Sequence, residues 1–443
     1  MWKVILAALV IVMLAGFATV AFHGCSVDSA AVIEALPATP TVEAKPPTRA
    51  NQRASADEKS AELQKVREDL EAQKAVHQRL LADTKAMQAE LAGLKASVLA
   101  DLPLPQSAGR EALSKATVAT ARFPDGGCLD VGATDGDVDL GAGRKLLSEG
   151  KRKVFAVRFD KDGVPQWEVA ATNDSGGDQR TMAAATYPDG SSVIGGFFNS
   201  GVATFKDATG AAQIRGSNGG CDAFVAKLSA DGRLLWLTTF GGPGQDDGVY
   251  GLAILSDGGC YAIGRFGEAV LFGSQELKAT NNQAGFVSRL DSSGNFVWTR
   301  VVTCKNPGVN TNPKGVCTLP DNSCIVVGTF YDQAGFNTGQ ANEIDLRGAG
   351  KDDFFVARYW HADGAVSWAK SGGGTGGDNA TSVTLLQGDE VCSVVVTIDG
   401  AGNLWSGEAA PKRLDNLKPG LSVYRVAVST VDGSLVGEPK KVH

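Results

Sequence analysis

The stretch Ala223–Phe266, AFVAKLSADGRLLWLTTFGGPGQDDGVYGLAILSDGGCYAIGRF, contains two patterns that each predict a β-hairpin. In the first, apolar residues alternate from Phe224 onward, a turn follows at Asp231-Gly232, and the chain returns to Trp236. In the second, an apolar run ends at the turn Ser256-Asp257-Gly258-Gly259 and a second apolar run comes back. Alternating burial on either side of a turn that needs positive φ is typical of antiparallel strands.

Both hairpins recur along the last three quarters of the chain. Copies of the first end at Trp167, Trp298 and Trp368, and a decayed copy runs from Val423 to Gly437. The turn aspartates of the second lie at positions 125, 189, 257, 321 and 389, with steps of 64, 68, 64 and 68 residues. Such repeats must stack to bury both faces, and radial stacking also hides their strand edges. The sequence therefore predicts an all-β fold, a five-bladed β-propeller of ~66-residue repeats over 106–443.

Each repeat is longer than the roughly 40 to 50 residues of a common four-stranded blade. The additional residues lie between the two hairpins of every repeat, and most of them are predicted to form a further short hairpin. These insertions are 138–148, 202–216, 269–279, 334–348 and 403–414.

The repeats resemble a known family, the bacterial propeller-forming SBBP repeats, over about Leu113–Val442. The similarity lies in the strand around Lys227, the Asp-x-x-Gly turn, the tryptophan and the Gly/Asp-rich loop that follows it. The spacing of Asp291, Gly294 and Trp298 is also similar to the Trp-docking pattern of PQQ-type propellers. The resemblance implies a propeller without a catalytic signature. Repeat 4 departs from it with a longer loop, and repeat 5 lacks the tryptophan.

Residues 1–25 carry a predominantly apolar run of 19 residues, Val4–Phe22, behind a single lysine. At ~1.5 Å per helical residue this run can span a bilayer core of roughly 30 Å. Because Lys3 precedes the run and acidic residues follow it, we expect the rest of the chain outside the cytoplasmic membrane. The segment is predicted to be a retained anchor, a cleaved signal or, if Cys25 is acylated, a lipoprotein signal.

Two further segments separate this run from the repeats. Residues 26–54 are rich in Pro, Ala and Thr without apolar periodicity, which predicts a disordered linker. Residues 55–100 predict a helix with a 3-4 apolar spacing over 63–98, typical of a coiled coil through which the chain self-associates. The alternative is a single solvated helix that packs on the propeller.

Composition and motifs argue against several functions. The net charge of −7 and the lack of a basic patch argue against nucleic acid as a partner. The four histidines show no metal-binding spacing and no nucleophile motif is present, so no metal, cofactor or catalytic residue is predicted. The candidate ligand-binding residues lie in Gly/Asp loops at one mouth of the propeller channel, although an aspartate there can also cap a turn. They are Asp178, Asp246, Asp247 and Asp378.

The repeated tryptophans and cysteines are interpreted as packing residues. Tryptophans at one position of four repeats favour contacts between blades over ligand stacking. Cysteines at one strand start of four repeats, at positions 128, 260, 324 and 392, are predicted to be small buried thiols. Cys304 and Cys317 bracket the longer loop of repeat 4, where an exported protein can form a disulfide.

Together these patterns favour a non-catalytic binding or scaffold module anchored in a bacterial cell envelope. Its expected partners are the membrane, further copies of the chain, and an envelope protein or glycan. Two alternatives stay open. One is a carbohydrate-active or quinone-dependent enzyme with a site at the propeller mouth, and the other is a structural spacer or coat protein.

Overall fold

The computed structural model describes residues 104–148, 151–174, 177–199, 201–244, 247–304, 310–386, 388–405, 412–414 and 420–442, with eight residues between 64 and 79. The chain divides into two compact bodies, Met1–Thr84 and Lys85–His443. The described residues of the first body are helical and exposed. No helix of the described residues is long and apolar enough to cross a membrane. The predicted anchor, Cys25, the linker and most of the predicted coiled coil lie outside these residues.

In the described part of the second body, regular structure is β apart from one short helix, α1 (Ala108–Leu113). The predicted all-β class is therefore confirmed. Each of the five repeats forms an antiparallel meander of four strands in the order first, second, third, fourth. The Asp-Gly turns join the first strand to the second and the third to the fourth, as the sequence predicts.

The strands of the meanders are grouped by their place in the repeat. The first strands are β1 (Thr117–Arg122), β7 (Gln179–Thr186), β13 (Gly248–Ile254), β17 (Thr311–Thr318) and β21 (Asn379–Leu385). The second strands are β2 (Cys128–Thr134), β8 (Ser192–Asn199), β14 (Cys260–Phe272), β18 (Cys324–Phe336) and β22 (Val391–Asp399). The third strands are β5 (Lys153–Phe159), β11 (Cys221–Leu228), β15 (Gln275–Leu290), β19 (Ile344–Tyr359) and β25 (Leu421–Ser429). The fourth strands are β6 (Pro165–Asn173), β12 (Leu234–Phe240), β16 (Phe296–Cys304), β20 (Val366–Gly374) and β26 (Lys440–Lys441).

The insertions form the predicted additional hairpins. In repeats 3 and 4 they are continuous with the second and third strands, so β14 pairs with β15, and β18 with β19, over their whole length. In the other repeats they are separate strands. These are β3 (Val138–Gly141), β4 (Arg144–Leu146), β9 (Val202–Lys206), β10 (Ala212–Gly216), β23 (Gly402–Leu404) and β24 (Lys412–Leu414).

In three repeats the insertion also pairs with the fourth strand of the preceding repeat. β9 pairs with β6, β18 with β16, and β23 with β20, each in antiparallel register. At the seam between repeats 2 and 3, aromatic packing takes this role, with the rings of Phe240 and Phe272 5.1 Å apart. Consecutive repeats are thus joined by main-chain pairing or ring contacts as well as by the packing of their faces.

Apolar residues alternate along the strands, so each sheet contributes to the core on either side of it. In β2, Leu129 and Val131 face repeat 2, whereas Cys128 faces away from it. The first strands lie side by side in the order β1, β7, β13, β17, β21. Within the described residues, β21 and β1 show no contact of similar extent. The described residues thus form five stacked sheets with four cores between them, and no closed ring is shown among them.

The outer face of repeat 1 is covered by α1 and the β3–β4 hairpin. The helix begins after Ser107, whose side-chain oxygen accepts a hydrogen bond from the Arg110 N–H at 3.2 Å. Leu113 is fully buried in a core shared with Leu140 and Leu146. The Arg110 guanidinium donates to both carboxylate oxygens of Asp130, at 2.7 and 3.1 Å. In repeat 1 this cover takes the place of the preceding sheet, against which each of repeats 2 to 5 packs.

Candidate functional site

Four tryptophans dock each repeat onto the turn of the next one. Every indole Nε1–H donates to a main-chain carbonyl in the turn between the third and fourth strands of the following repeat. The pairs are Trp167 with Ala230, Trp236 with Ser292 and Trp298 with His361, all at 2.9 Å, and Trp368 with Thr430 at 3.3 Å. The interpretation of these residues as contacts between repeats is confirmed.

A turn glycine lies directly beneath each indole. A Cβ atom added to Gly232, Gly294, Gly364 or Gly433 would approach the ring of the preceding tryptophan within 2.5 to 2.8 Å. Each of these glycines also has a positive φ, between 71° and 82°. Both the turn and the close approach of the indole therefore require glycine at this position.

Arginines reinforce the same contacts. The guanidinium groups of Arg158, Arg289 and Arg358 each form an ion pair with the turn aspartate of their own repeat and donate to a main-chain carbonyl of the next repeat. The aspartates are Asp125, Asp257 and Asp321, and the carbonyls belong to Ala230, His361 and Thr430. These turn aspartates are therefore tied to the repeat contacts.

Repeat 1 has no preceding tryptophan, and the N-terminal segment takes its place. A Cβ atom added to Gly163, the equivalent turn glycine, would lie 2.9 Å from the Gln106 carbonyl oxygen and 3.0 Å from Ser107 Cβ. At the opposite end of the array, repeat 5 lacks the tryptophan that would dock onto a further turn. The N-terminal segment thus fills the position where a closing contact from repeat 5 would fall.

Two of the four predicted ligand-binding aspartates are buried. Asp247 is 1% exposed, and its two carboxylate oxygens accept the N–H groups of Gly242 and Gly267 at 2.8 Å each. Asp378 is 0% exposed and accepts the N–H groups of Gly374 and Asp399. Oxygens engaged in this way hold loops together, as the turn-capping alternative expects, and ligand binding at both positions stays a prediction.

The other two aspartates have different outcomes. The carboxylate of Asp178 is partly exposed and forms ion pairs with Arg152 at 3.0 Å and Arg180 at 3.4 Å. Its role in ligand binding stays a prediction. Asp246 lies outside the described residues.

The strand register explains why these aspartates do not form one set. Counting from the bulge in each first strand, Asp247 and Asp378 are equivalent to Gln179 and Thr311, and not to Asp178. All four equivalent side chains are buried at 0 to 1% exposure. Each is a polar side chain that holds the loop leading into a repeat.

Asp353 and Asp378 form a buried pair of carboxyl groups. A Cβ atom added to Gly373, between them, would lie 2.0 Å from one oxygen of Asp353 and 2.8 Å from one of Asp378. Burial, and to a smaller degree the charge of Asp378, raises the pKa of Asp353 to about 6. Burial also raises the pKa of Asp378. An oxygen of Asp353 accepts the Ala349 N–H at 2.9 Å, so the pair is held inside the protein.

The predicted disulfide is not formed, because its two cysteines are far apart. Cys304 pairs with Ala334 and Cys317 pairs with Ile325, nine residues apart on β18. At ~3.3 Å per residue this separation is well above the ~7 Å that a disulfide allows between Cα atoms. Neither cysteine is part of a disulfide. The four repeated cysteines form no disulfide either, and each is fully buried as predicted.

The first strands of the repeats, which lie side by side and are called the inner strands below, carry a polar cluster that the sequence analysis did not predict. Tyr250 and Lys314 are the bulged residues of β13 and β17, and each is followed by a glycine. A Cβ atom on Gly251 would lie 3.6 Å from Val316 of β17, and one on Gly315 would lie 3.1 Å from Ser382 of β21. These close approaches place β13, β17 and β21 side by side at the level of the two bulges. The sequence signal was the interruption of apolar alternation by Tyr-Gly and Lys-Gly.

The cluster consists of two hydrogen-bonded pairs, each with one charged and one polar group. Arg265 Nη2 donates to the Tyr250 hydroxyl at 3.2 Å, and its guanidinium lies 5.2 Å from the centre of the Tyr250 ring. Lys314 Nζ donates to Asn379 Oδ1 at 2.8 Å. The Arg265 Nε–H is buried without a hydrogen-bond partner. Hereafter these four residues are called the inner-strand cluster.

Within the described ranges, no group of three or more His, Cys, Asp or Glu side chains is placed to hold a metal ion. The chain matches no protein-family model, and no curated protein is significantly similar to it.

Proposed function

We propose that the chain is a non-catalytic binding or scaffold module, held on the outer side of the cytoplasmic membrane by its N-terminal segment. Its five sheets are the blades of a propeller-like array. The observation that carries the proposal is that the charged side chains at the turns and loops form contacts within the protein. The turn aspartates, their arginines and the buried loop carboxyls join one repeat to the next, which leaves the inner strands as the surface for a partner.

The enzyme alternative requires carboxylates with perturbed pKa values at an accessible site. Burial raises the pKa of Asp222, Asp353 and Asp378, but these three side chains are at most 1% exposed. These buried carboxyl groups are more simply explained as structural groups that accept hydrogen bonds inside the protein. The spacer or coat alternative does not account for a charged cluster on the inner strands.

Self-association through 63–98 would present several copies of the array to one partner and raise the apparent affinity without new contacts. Light scattering on chains spanning 55–443 and 105–443 tests this arrangement. We expect the longer chain to form a dimer or trimer and the shorter chain a monomer. A matched control is the longer chain with Leu80→Asp, which places a charge in the predicted apolar seam and should also be a monomer. If the two unmodified chains have the same oligomeric state, the scaffold proposal is wrong.

A further inference from the structure

The inner-strand cluster contains two cations without a matching anion. Neither Arg265 nor Lys314 forms an ion pair with any residue that the structure describes. This contrasts with Arg158, Arg289 and Arg358, which each have an aspartate partner at 2.5 to 2.9 Å. Partly buried charges are costly unless they are paired.

Charges of both signs act on Lys314. Burial lowers the pKa of its ammonium group, the carboxylate of Asp352 opposes this effect, and the positive charge of Arg265 adds to it. Asp352 is exposed and is not within ion-pair distance of Lys314. The ammonium group therefore has no direct anionic partner among the described residues.

Most of the hydrogen-bonding capacity that remains in the cluster is donor capacity. The Oδ1 atom of Asn379 is occupied by Lys314, which leaves its amide N–H groups, and the Tyr250 oxygen accepts from Arg265, which leaves its O–H. Lys314 has two further N–H groups, and Arg265 has its Nη1 and the unpartnered Nε. A set of donors with excess positive charge suits an oxyanion, for which charge-assisted hydrogen bonds are the strong ones.

We propose that Arg265, Lys314, Tyr250 and Asn379 bind a single oxyanion group, a carboxylate or a phosphate, of the ligand. This assignment rests on the proposed binding function and gives its ligand a chemical class. The bulges in β13 and β17 turn Tyr250 and Lys314 out of the alternating pattern, which is how bulges commonly redirect side chains at binding sites. The site draws on repeats 3, 4 and 5, so a ligand bound there contacts the array across two seams.

Calorimetric titration of the full chain in detergent tests this proposal, with inorganic phosphate and acetate as separate probes and chloride adjusted to constant ionic strength. We expect at least one of the anions to bind. Lys314→Met should weaken that binding by about tenfold or more, because a charge-assisted hydrogen bond is lost. The matched control is Arg233→Met, which removes an exposed arginine paired with Asp231 on the turn side and should leave binding unchanged.

Thermal unfolding without added anion shows whether each variant is folded. Lys314→Met should unfold at about the same temperature as the unmodified chain, because the cost of burying the ammonium group is removed together with its hydrogen bond to Asn379. Binding of phosphate alone indicates a phosphate-bearing ligand, and binding of acetate alone indicates a carboxylate-bearing one. The proposal is overturned if neither anion binds, or if folded Lys314→Met binds as tightly as the unmodified chain. Either failure would leave the light-scattering result on self-association untouched.

Discussion

The indole Nε1–H of Trp298 donates to the main-chain carbonyl of His361 at 2.9 Å, across the seam between repeats 3 and 4. The same carbonyl accepts a hydrogen bond from Arg289, so one oxygen is held by two side chains of the preceding repeat. Trp298 is buried and also contacts the ring of Tyr261 at 5.7 Å. A single turn therefore anchors the fourth repeat to the third.

Trp298→Phe removes this hydrogen bond and keeps most of the apolar volume. We expect a loss of about 1 to 2 kcal/mol in the free energy of unfolding, and about 3 to 5 kcal/mol for Trp298→Ala. Urea denaturation followed by circular dichroism measures both. The control is Val297→Ala, next along the strand and 45% exposed, which should change stability by no more than about 0.5 kcal/mol. Equal effects at both positions would contradict the docking role.

Gly364→Ala tests the close approach of the indole separately from the turn conformation. Gly364 has φ of 71°, and a Cβ atom would lie 2.5 Å from Trp298 Cε3. Gly339 has a similar φ of 79° with no atom within 4 Å of its Cβ position. We expect Gly339→Ala to cost about 1 kcal/mol for the backbone and Gly364→Ala to cost a further 1 to 3 kcal/mol, roughly, for the overlap. Thermal unfolding measures the loss of stability in both variants. Equal losses would show that the indole moves away from the added Cβ atom at no cost.

The buried ion pair of Arg110 and Asp130 joins helix α1 to repeat 1, and we expect that a pair of apolar residues can replace it. Positions equivalent to Asp130 hold apolar residues in the other repeats: Ile194, Ala262, Val326 and Val394. Arg110→Met leaves Asp130 buried without its partner, and we expect a loss of about 3 to 5 kcal/mol. The double variant Arg110→Met/Asp130→Val should recover most of that loss, because it restores the apolar pattern. A double-mutant cycle in urea measures the coupling, and additive losses would rule out a direct tie.

Asp353 should make stability fall as the pH rises. Because its pKa is about 6 in the folded chain and near 3.8 in the unfolded chain, the folded state holds a proton more tightly. Its contribution is complete below about pH 4 and is lost as the pH rises through 6. Asp353→Asn keeps an acceptor for Ala349 and removes the charge, so we expect it to be more stable than the unmodified chain at pH 8 by about 1 to 3 kcal/mol.

Urea midpoints at pH 4 and pH 8 measure this difference. The control is Asp363→Asn, an exposed turn residue that also accepts a main-chain N–H. It should leave the pH dependence of the unmodified chain unchanged. An Asp353→Asn variant that loses stability between pH 4 and pH 8 as steeply as the unmodified chain would disprove the assignment.

Features local to one repeat could be predicted from the sequence. Alternating apolar residues and Asp-Gly turns identify the hairpins, and the recurrence of Trp298 at one position in four repeats identifies it as a packing residue. These signals are strong because a strand buries every second side chain and a tight turn needs positive φ. The insertion hairpins followed from the same signals.

Relationships between repeats could not be predicted in this way. The pairing of β9 with β6 involves main-chain groups, which leave no residue pattern in either strand. Grouping the Gly/Asp loops by composition places Asp178 with Asp247, whereas counting from the bulge that both first strands share makes Gln179 the equivalent residue. Helix α1 has six residues, too few for an apolar period to be recognised.

The pairing of three insertions with the preceding repeat has a consequence for the order in which the protein is made. When repeat 1 has left the ribosome, the outer edge of β6 has no partner, because β9 belongs to residues not yet synthesised. The same holds at β16 and β20, which wait for β18 and β23. At these three seams a nascent chain ends in an unpaired strand edge until the next insertion emerges, so the sheet is completed only by translation of the following repeat.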